Sequence, residues 1–344
     1  MKRICALVLS LAIMLPLCAC GDTRETITVY NWGDYIAPGI VDKFEEETGI
    51  RVVYETFEMN EDMYTKLKNS NNSYDVVIPS DYIIERMIDE DMLEKIDFAN
   101  VPNFEKIDAE FKNPSFDPTN EYSVPYMWGT LGILYNKTMV NGTIDSWGAL
   151  FDKQYADNII MMNSQRDAIG MTLKYLGYSL NESSPEALEK VKNKLNEQSP
   201  LVLTWVVDEV KDKMIGGEAA LALIYMGDAV YCKGYNSDLE YVIPKEGSNI
   251  FFDSMCIPKC AKNKSGAEKF INFMCRPDIA AQNAEYIGYS SPMTEARDLM
   301  GDAGKDETAY PDITKYNLEF FSFLGDKTKV FDELWTEIKT SIGV

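Results

Sequence analysis

The sequence predicts an α/β protein of two lobes, each a mainly parallel sheet flanked by helices, joined by extended crossovers. Three observations carry this. From residue 26 onward, β-rich runs alternate with amphipathic helical stretches, the order that builds parallel sheets. A second such series starts near residue 129. The length of 344 residues suits a pair of domains at roughly 150 residues each.

Residues 26–31 (TITVYN) are a short strand of β-branched and aromatic side chains, and 38–48 a helix stopped by Gly49. Residues 51–57 (RVVYETF) are a strand, 61–69 a helix, 74–79 (YDVVIP) a strand and 81–90 a helix, completing a βαβαβα series. Residues 97–122, rich in Pro and Asn, predict an ordered loop region. In the second series 129–135 (GTLGILY) is a strand, 146–151 a short helix and 158–162 a strand. Residues 167–176 and 185–198 are amphipathic helices, 201–204 a short strand and 209–215 a further helix. Strands at 219–225, 239–243 and 250–257 (IFFDSMCI) precede helices at 265–274 and 278–286. Crossovers fall near 127–131 and 248–254. The predicted lobes are 20–128 with 252–310, and 129–251 with 311–344; nothing in the last segment decides its lobe.

Composition narrows the function. Hydrophobic content of 46% and charged content of 26% are those of an ordinary globular chain. Lys and Arg number 33 against 55 Asp and Glu, a net charge of −22. Such a surface repels phosphate backbones, so no nucleic-acid partner is expected; cations are favoured, although acidity also serves solubility alone. There is no histidine. That removes Ser-His-Asp and Cys-His catalysis, His-containing zinc sites and imidazole proton shuttles. GxGxxG, GxxxxGK[ST] and GxSxG are absent as well. Carboxylate pairs or a Lys nucleophile are the remaining enzyme routes, and nothing in the sequence places such groups together. We therefore expect a protein that is not an enzyme and uses no cofactor and no metal.

The first nineteen residues predict an export signal. Lys2 and Arg3 form a positive start, and 4–17 is an apolar stretch too short to span a bilayer comfortably. It ends Leu17-Cys18-Ala19-Cys20, which resembles the lipobox of bacterial lipoproteins and implies cleavage before Cys20 and lipidation of its thiol. Plain secretory cleavage is the alternative. No later stretch approaches a membrane span, so an extracytoplasmic, lipid-anchored protein is expected. Cys232, Cys256, Cys260 and Cys275 form no CxxC and have no His to complete a zinc site. Buried free thiols are expected, with disulfide pairing left open.

In open parallel sheets, ligands sit beyond the carboxyl ends of strands. After the first strand come Asn31-Trp32-Gly33-Asp34-Tyr35, and after the third Pro79-Ser80-Asp81-Tyr82. Ser80 and Asp81 would also serve as helix caps. Residues 224–228 (IYMGD) end a strand so that Tyr225 and Asp228 can share an opening, and 163–167 (NSQRD) put Asp167 at a helix start. Both aspartates would gain roughly 0.3–1 kcal/mol from a helix dipole without any ligand. Residues 287–292 (IGYSSP) form a loop centred on Tyr289. Within 250–257, a period of two puts Phe251, Asp253 and Met255 on one face. An aspartate among apolar neighbours needs a cationic or donor partner, either a structural Lys or Arg or a bound cation. These loops offer Trp, Tyr, Phe and Asp with few positive side chains. A thin cation with methylenes suits them, its ammonium ends on carboxylates and its chain on aromatic faces. Sugars also stack on aromatic walls.

Several blocks together resemble a known family. They are YNWGDYIAPG (30–39), FEEETGIRVVYETFEMNEDMYTKL (44–67), YDVVIPSDY (74–82), YSVPYMWGT (122–130), VIPKEG (242–247), FFDS (251–254), INFMCRPDIA (271–280) and IGYSSP (287–292). The chain resembles the spermidine/putrescine-binding lipoproteins of polyamine ABC importers, within the type II periplasmic binding proteins, over nearly its whole mature length. The resemblance implies two lobes that close on a polyamine and deliver it to a permease in the cytoplasmic membrane. A protein that must hand its ligand over is expected to be a monomer. It implies binding roles for Trp32, Tyr35, Ser80, Tyr82, Asp253 and Tyr289. Phe251 stands where members carry Trp or Phe, Tyr225 where they usually carry Trp, and Asp167 where they carry a Glu one methylene longer. Ser164 replaces an Asp of the spermidine-preferring type, whereas Asp34, Asp228 and Phe251 look more like the putrescine-preferring type. The choice between the two polyamines stays open. The competing expectations are a binding protein for another solute, such as a sugar or a ferric complex, and an extracytoplasmic enzyme or adhesin on the same scaffold.

Overall fold

A computed structural model describes residues 24–69 and 73–343. The expected export signal at 1–19 and the expected lipidation site Cys20 lie outside the described residues.

The first series folds as the alternation predicts. β1 (Thr26–Trp32) pairs in parallel with β2 (Arg51–Phe57) and with β3, which is only Val76–Val77. The strand expected over 74–79 is short because Pro79 has no N–H to donate and the chain turns at Ser80. Between the strands run α1 (Ile40–Thr48) and α2 (Asn60–Asn69), and α3 (Asp81–Asp89) follows. α1 buries Ile40 and Phe44 one turn apart and ends at Gly49, whose φ of 71° lets its N–H reach Glu45 O. Residues 97–122 form an ordered loop region, as expected. Buried Asp117 pins its end by accepting from the N–H groups of Glu121, Tyr122 and Ser123.

The crossover strand β4 (Ser123–Asn136) is twice as long as the sequence predicts. Its apolar run is buried on both faces, so nothing in the alternation marks where it begins. The rest follows in chain order: β5 (Ile159–Met162), α4 (Gln165–Tyr175), α5 (Pro185–Gln198), β6 (Val202–Val206), α6 (Val210–Ile215), β7 (Leu221–Tyr225), α7 (Met226–Tyr235), β8 (Leu239–Val242) and β9 (Ser248–Cys256). α8 (Lys264–Met274), α9 (Pro277–Ile287), α10 (Thr294–Leu299), β10 (Leu318–Glu319) and α11 (Thr328–Ile342) complete the chain. The path of strands is β2-β1-β3-β9-β4-β7-β5-β6, with β10 beside β9 and β8 beside β4. Each end of the path is parallel, as predicted. The centre is not: β9 runs antiparallel to β3 and β4, and β4 antiparallel to β7 and β8. β4 carries the chain from the first half of the path to the second and β9 carries it back, so side by side they run in opposite senses.

The apolar core divides along these crossings. One cluster takes Ile27 to Trp128 and Ile250 to Met300. Others take residues between Leu131 and Leu239, and α11 joins them by laying Phe331, Leu334, Trp335 and Ile338 against Leu188, Val191 and Leu195 of α5. Among the described residues no helix is long and apolar enough to cross a membrane. Cys232, Cys256 and Cys275 are buried free thiols, and Cys260 is half-buried and unpaired. Burial pushes Cys232 and Cys275 up to about 12, so both are unreactive protonated thiols at neutral pH.

Candidate functional site

One cavity of about 600 Å³ opens between the two halves of the path. Trp32, Asp34, Tyr35, Ser80, Tyr82, Asp167, Tyr225, Asp228, Phe251, Asp253 and Tyr289 all line it. The strand-end rule explains most of this convergence. Trp32 closes β1 and Asp34 and Tyr35 follow it; Ser80 and Tyr82 open α3 after β3; Asp167 lies in the first turn of α4 after β5; Tyr225 ends β7 and Asp228 begins α7. Phe251 and Asp253 come instead from the middle of β9, which runs past the cavity in the opposite sense.

At the inner end Asp253 is 4% exposed and its two oxygens are held by hydroxyls: Tyr35 donates to Oδ2 at 2.6 Å and Ser80 Oγ to Oδ1 at 2.6 Å. Burial pushes Asp253 up to about 6, against those hydrogen bonds. The partner that the sequence demanded for this carboxylate is therefore a pair of hydroxyls; among the described residues it makes no ion pair. Ser80 is the N-cap of α3 by position, yet its side chain makes no cap bond, being spent on Asp253. Asn60 backs it up: Nδ2 donates to Ser80 Oγ at 3.1 Å and to Tyr82 Oη at 3.2 Å, while Tyr82 donates to Glu61 at 2.9 Å. Asp167 repeats the pattern. It accepts from Tyr225 at 2.6 Å and from Ser164, and burial raises its pKa. Asp228 is pushed up to about 6 by burial, with the Lys211 charge pulling the other way.

Aromatic rings form the walls. Tyr289 meets Tyr35 edge-on at 5.1 Å and lies 6.1 Å from Phe251, which meets Tyr225 at 5.4 Å; Trp32 leans on Phe57 at 4.5 Å. Two glycines make room for these rings. A Cβ on Gly227 would stand 1.9 Å from the Tyr289 ring, and one on Gly129 would stand 2.7 Å from Phe251.

The expectation of a wall with few positive groups needs one correction, since Arg166 and Lys211 also line the cavity. Arg166 is pinned within the wall. It donates to Ser322 O at 3.3 Å and Asn181 Oδ1 at 3.1 Å, and lies 4.5 Å over Phe321. Burial lowers its pKa against the surrounding negative groups. Lys211 reaches Asp34 at 3.4 Å. Sequence reasoning misses both because a basic residue beside an acidic one reads as a solvated helix face; Glu61 and Asp208 escape it for the same reason. Among the described residues no cluster of three or more metal-ligating side chains forms.

Residues 39–313 match the bacterial extracellular solute-binding proteins. The chain belongs to this family. The solute-binding protein is 38% identical over 322 residues, 92% of each chain, to the spermidine/putrescine-binding periplasmic protein of Escherichia coli (strain K12). Among solved structures it is similar to the spermidine/putrescine ABC transporter substrate-binding protein of Streptococcus pneumoniae, with a TM-score of 0.80 and 42% identity over 93% of this chain and 100% of that one. It is also similar to a lipoprotein of Treponema pallidum, with a TM-score of 0.82 and 28% identity over 91% of this chain and 99% of that one. The two-lobed type II periplasmic-binding-protein fold expected from the sequence is the fold of these neighbours. The solute-binding protein thus presents carboxylates and rings in a cavity between the two halves of its strand path.

Proposed function

We propose that this protein captures a polyamine, putrescine or spermidine, between its lobes outside the cytoplasm and delivers it to an ABC importer. The observation that carries this is the state of Asp253 and Asp167. Both are buried in the wall of an aromatic-lined cavity, hold hydroxyls and enter no ion pair among the described residues. Neutral donors relieve only part of the cost of a buried carboxylate, and an ammonium group supplies the rest. The ligand's methylenes lie against Trp32, Tyr225, Phe251 and Tyr289, each desolvated cation–π contact adding about 2 kcal/mol. Tyr35, Ser80 and Tyr82 orient the carboxylates, and Asp34 and Asp228 at the mouth face any further amine of a longer polyamine. The spermidine- and putrescine-binding relatives support this choice of solute.

The lobes comprise 20–128 with 252–310, and 129–251 with 311–344. They rock about the β4 and β9 crossings, and bridging by the ligand shifts the population toward closure. The protein works as a monomer that binds and hands over without turnover. Cys20, outside the described residues, carries the lipid that tethers it to the membrane; the similarity to a Treponema lipoprotein supports this.

Isothermal titration of the lipid-free protein, starting after Cys20, with putrescine and then spermidine at low salt is the test. Micromolar or tighter binding of either is expected. Silence with both, in folded protein stripped of carried-over ligand, overturns the proposal and returns the solute to open screening.

A further inference from the structure

Lys211 lines the cavity, yet polyamine capture by carboxylates and rings gives it no task. It sits in the first turn of α6, and 18% of its side chain is exposed. Its Nζ lies 3.4 Å from Asp34 Oδ2 and 5.8 Å from the centre of the Tyr231 ring. Asp34 follows β1 on the opposite side of the cavity mouth, Asp208 precedes α6, and Asp228 and Tyr231 belong to α7. Asp212, one residue along α6, also lines the mouth. Burial disfavours the Lys211 ammonium, but the charges of Asp228, Asp208 and Asp34 outweigh it and raise the pKa. A primary ammonium held by carboxylates beside a tyrosine face is the chemistry that this cavity offers to its ligand. At the inner end those groups hold no ammonium of the protein's own. At the outer end they do.

We propose that Lys211 is a specificity-determining residue, a tethered ammonium that fills the outer amine position between Asp34 and α7. The inference rests on polyamine capture. A short diamine places its two ammonium groups at the buried carboxylates Asp253 and Asp167 and ends before the mouth. A longer polyamine brings a further ammonium toward the mouth, where it must displace Lys211 from its carboxylates against like-charge repulsion. The cavity accordingly discriminates against length and charge together, and removing the lysine charge relaxes that discrimination. Charges a few ångströms apart in a half-buried setting are strong enough for roughly tenfold selectivity.

The test is titration of the wild type, Lys211→Met, Lys211→Gln and Lys211→Arg with putrescine and spermidine at low salt, with folding checked by circular dichroism. Both neutral variants are expected to raise the affinity for spermidine relative to putrescine about tenfold, and Lys211→Arg to keep the wild-type ratio. Two neutral substitutes are used so that one that fails to fold leaves the other. An equal change for both ligands means that Lys211 only ties the lobes together through Asp34, and overturns the inference while leaving polyamine capture standing. A wild type that binds neither ligand overturns capture and the inference with it.

Discussion

Asp253 has to keep a carboxylate in a buried wall without a cation of the protein's own. Tyr35 and Ser80 supply two donors, yet burial still pushes it up to about 6. Its charge is thus a cost that a cationic ligand would relieve. Asp253→Asn is expected to weaken polyamine binding at least several-fold by calorimetry, because it removes the charge that an ammonium pairs with. The same variant should melt no lower than wild type in the unliganded state at neutral pH, since it also removes a destabilising buried charge. Unchanged affinity would take Asp253 out of the site. Gly227 tests the wall instead of the charge. Its missing Cβ leaves space that the Tyr289 ring fills, and Gly227→Ala must push that ring aside. Weaker binding of every polyamine tried, with secondary structure intact by circular dichroism, is the expected outcome. Affinity within twofold of wild type would show that Tyr289 is not a binding wall.

Among the elements, β9 does two jobs. Its pleat sends Phe251 and Asp253 into the cavity and Phe252 into a packing group with Phe111, Phe116 and Phe320. A register slip of one residue would bury neither set correctly. α11 has a different task, closing the second core with a stripe at i, i+3, i+4 and i+7. Phe331 is 1% exposed there, and Phe331→Ala should cost about 3–5 kcal/mol in denaturant unfolding by leaving a cavity. A loss below about 1 kcal/mol would mean that α11 docks only loosely.

Across the whole molecule, charge governs how a cation arrives and what pH does. Asp253 and Asp228 both sit near 6, against about 3.9 in an unfolded chain. Between about pH 4 and 6 the folded, unliganded protein holds protons that the unfolded chain has released. These two groups therefore add stability as pH falls through 6, fully below about 4, and lower it above 6. Ligand binding runs the other way. An ammonium favours the ionised carboxylates, so binding near pH 5.5 should release protons and affinity should fall as pH drops from about 7 to 5. Calorimetry in buffers of different ionisation enthalpy reads those protons; none released near pH 5.5 would contradict the assignment. The net charge of −22 should also speed association at low salt, and stopped-flow rates that ignore ionic strength would deny any steering.

The α/β alternation, the second series and the C-terminal sides of β1, β3, β5 and β7 are all legible in the sequence because their signals are local: strand period, helix stripe, Gly and Pro punctuation. Those local signals are enough to locate Trp32, Tyr35, Ser80, Asp167 and Asp228. The stripe of α11 is equally local but escapes notice, lying in a segment with no neighbouring strand to frame it. The full length of β4 is hidden because a strand buried on both faces shows no alternation. What only the tertiary structure decided is partnership. Asp253 needed a donor on any account, but that Tyr35 and Ser80 supply it depends on loops more than 170 residues away meeting over β9. Lys211 reads as an ordinary helix-surface lysine until α6 is set across the mouth from Asp34. Charge, burial and hydrogen bonding act through distance in space, and chain spacing carries that distance only within an element.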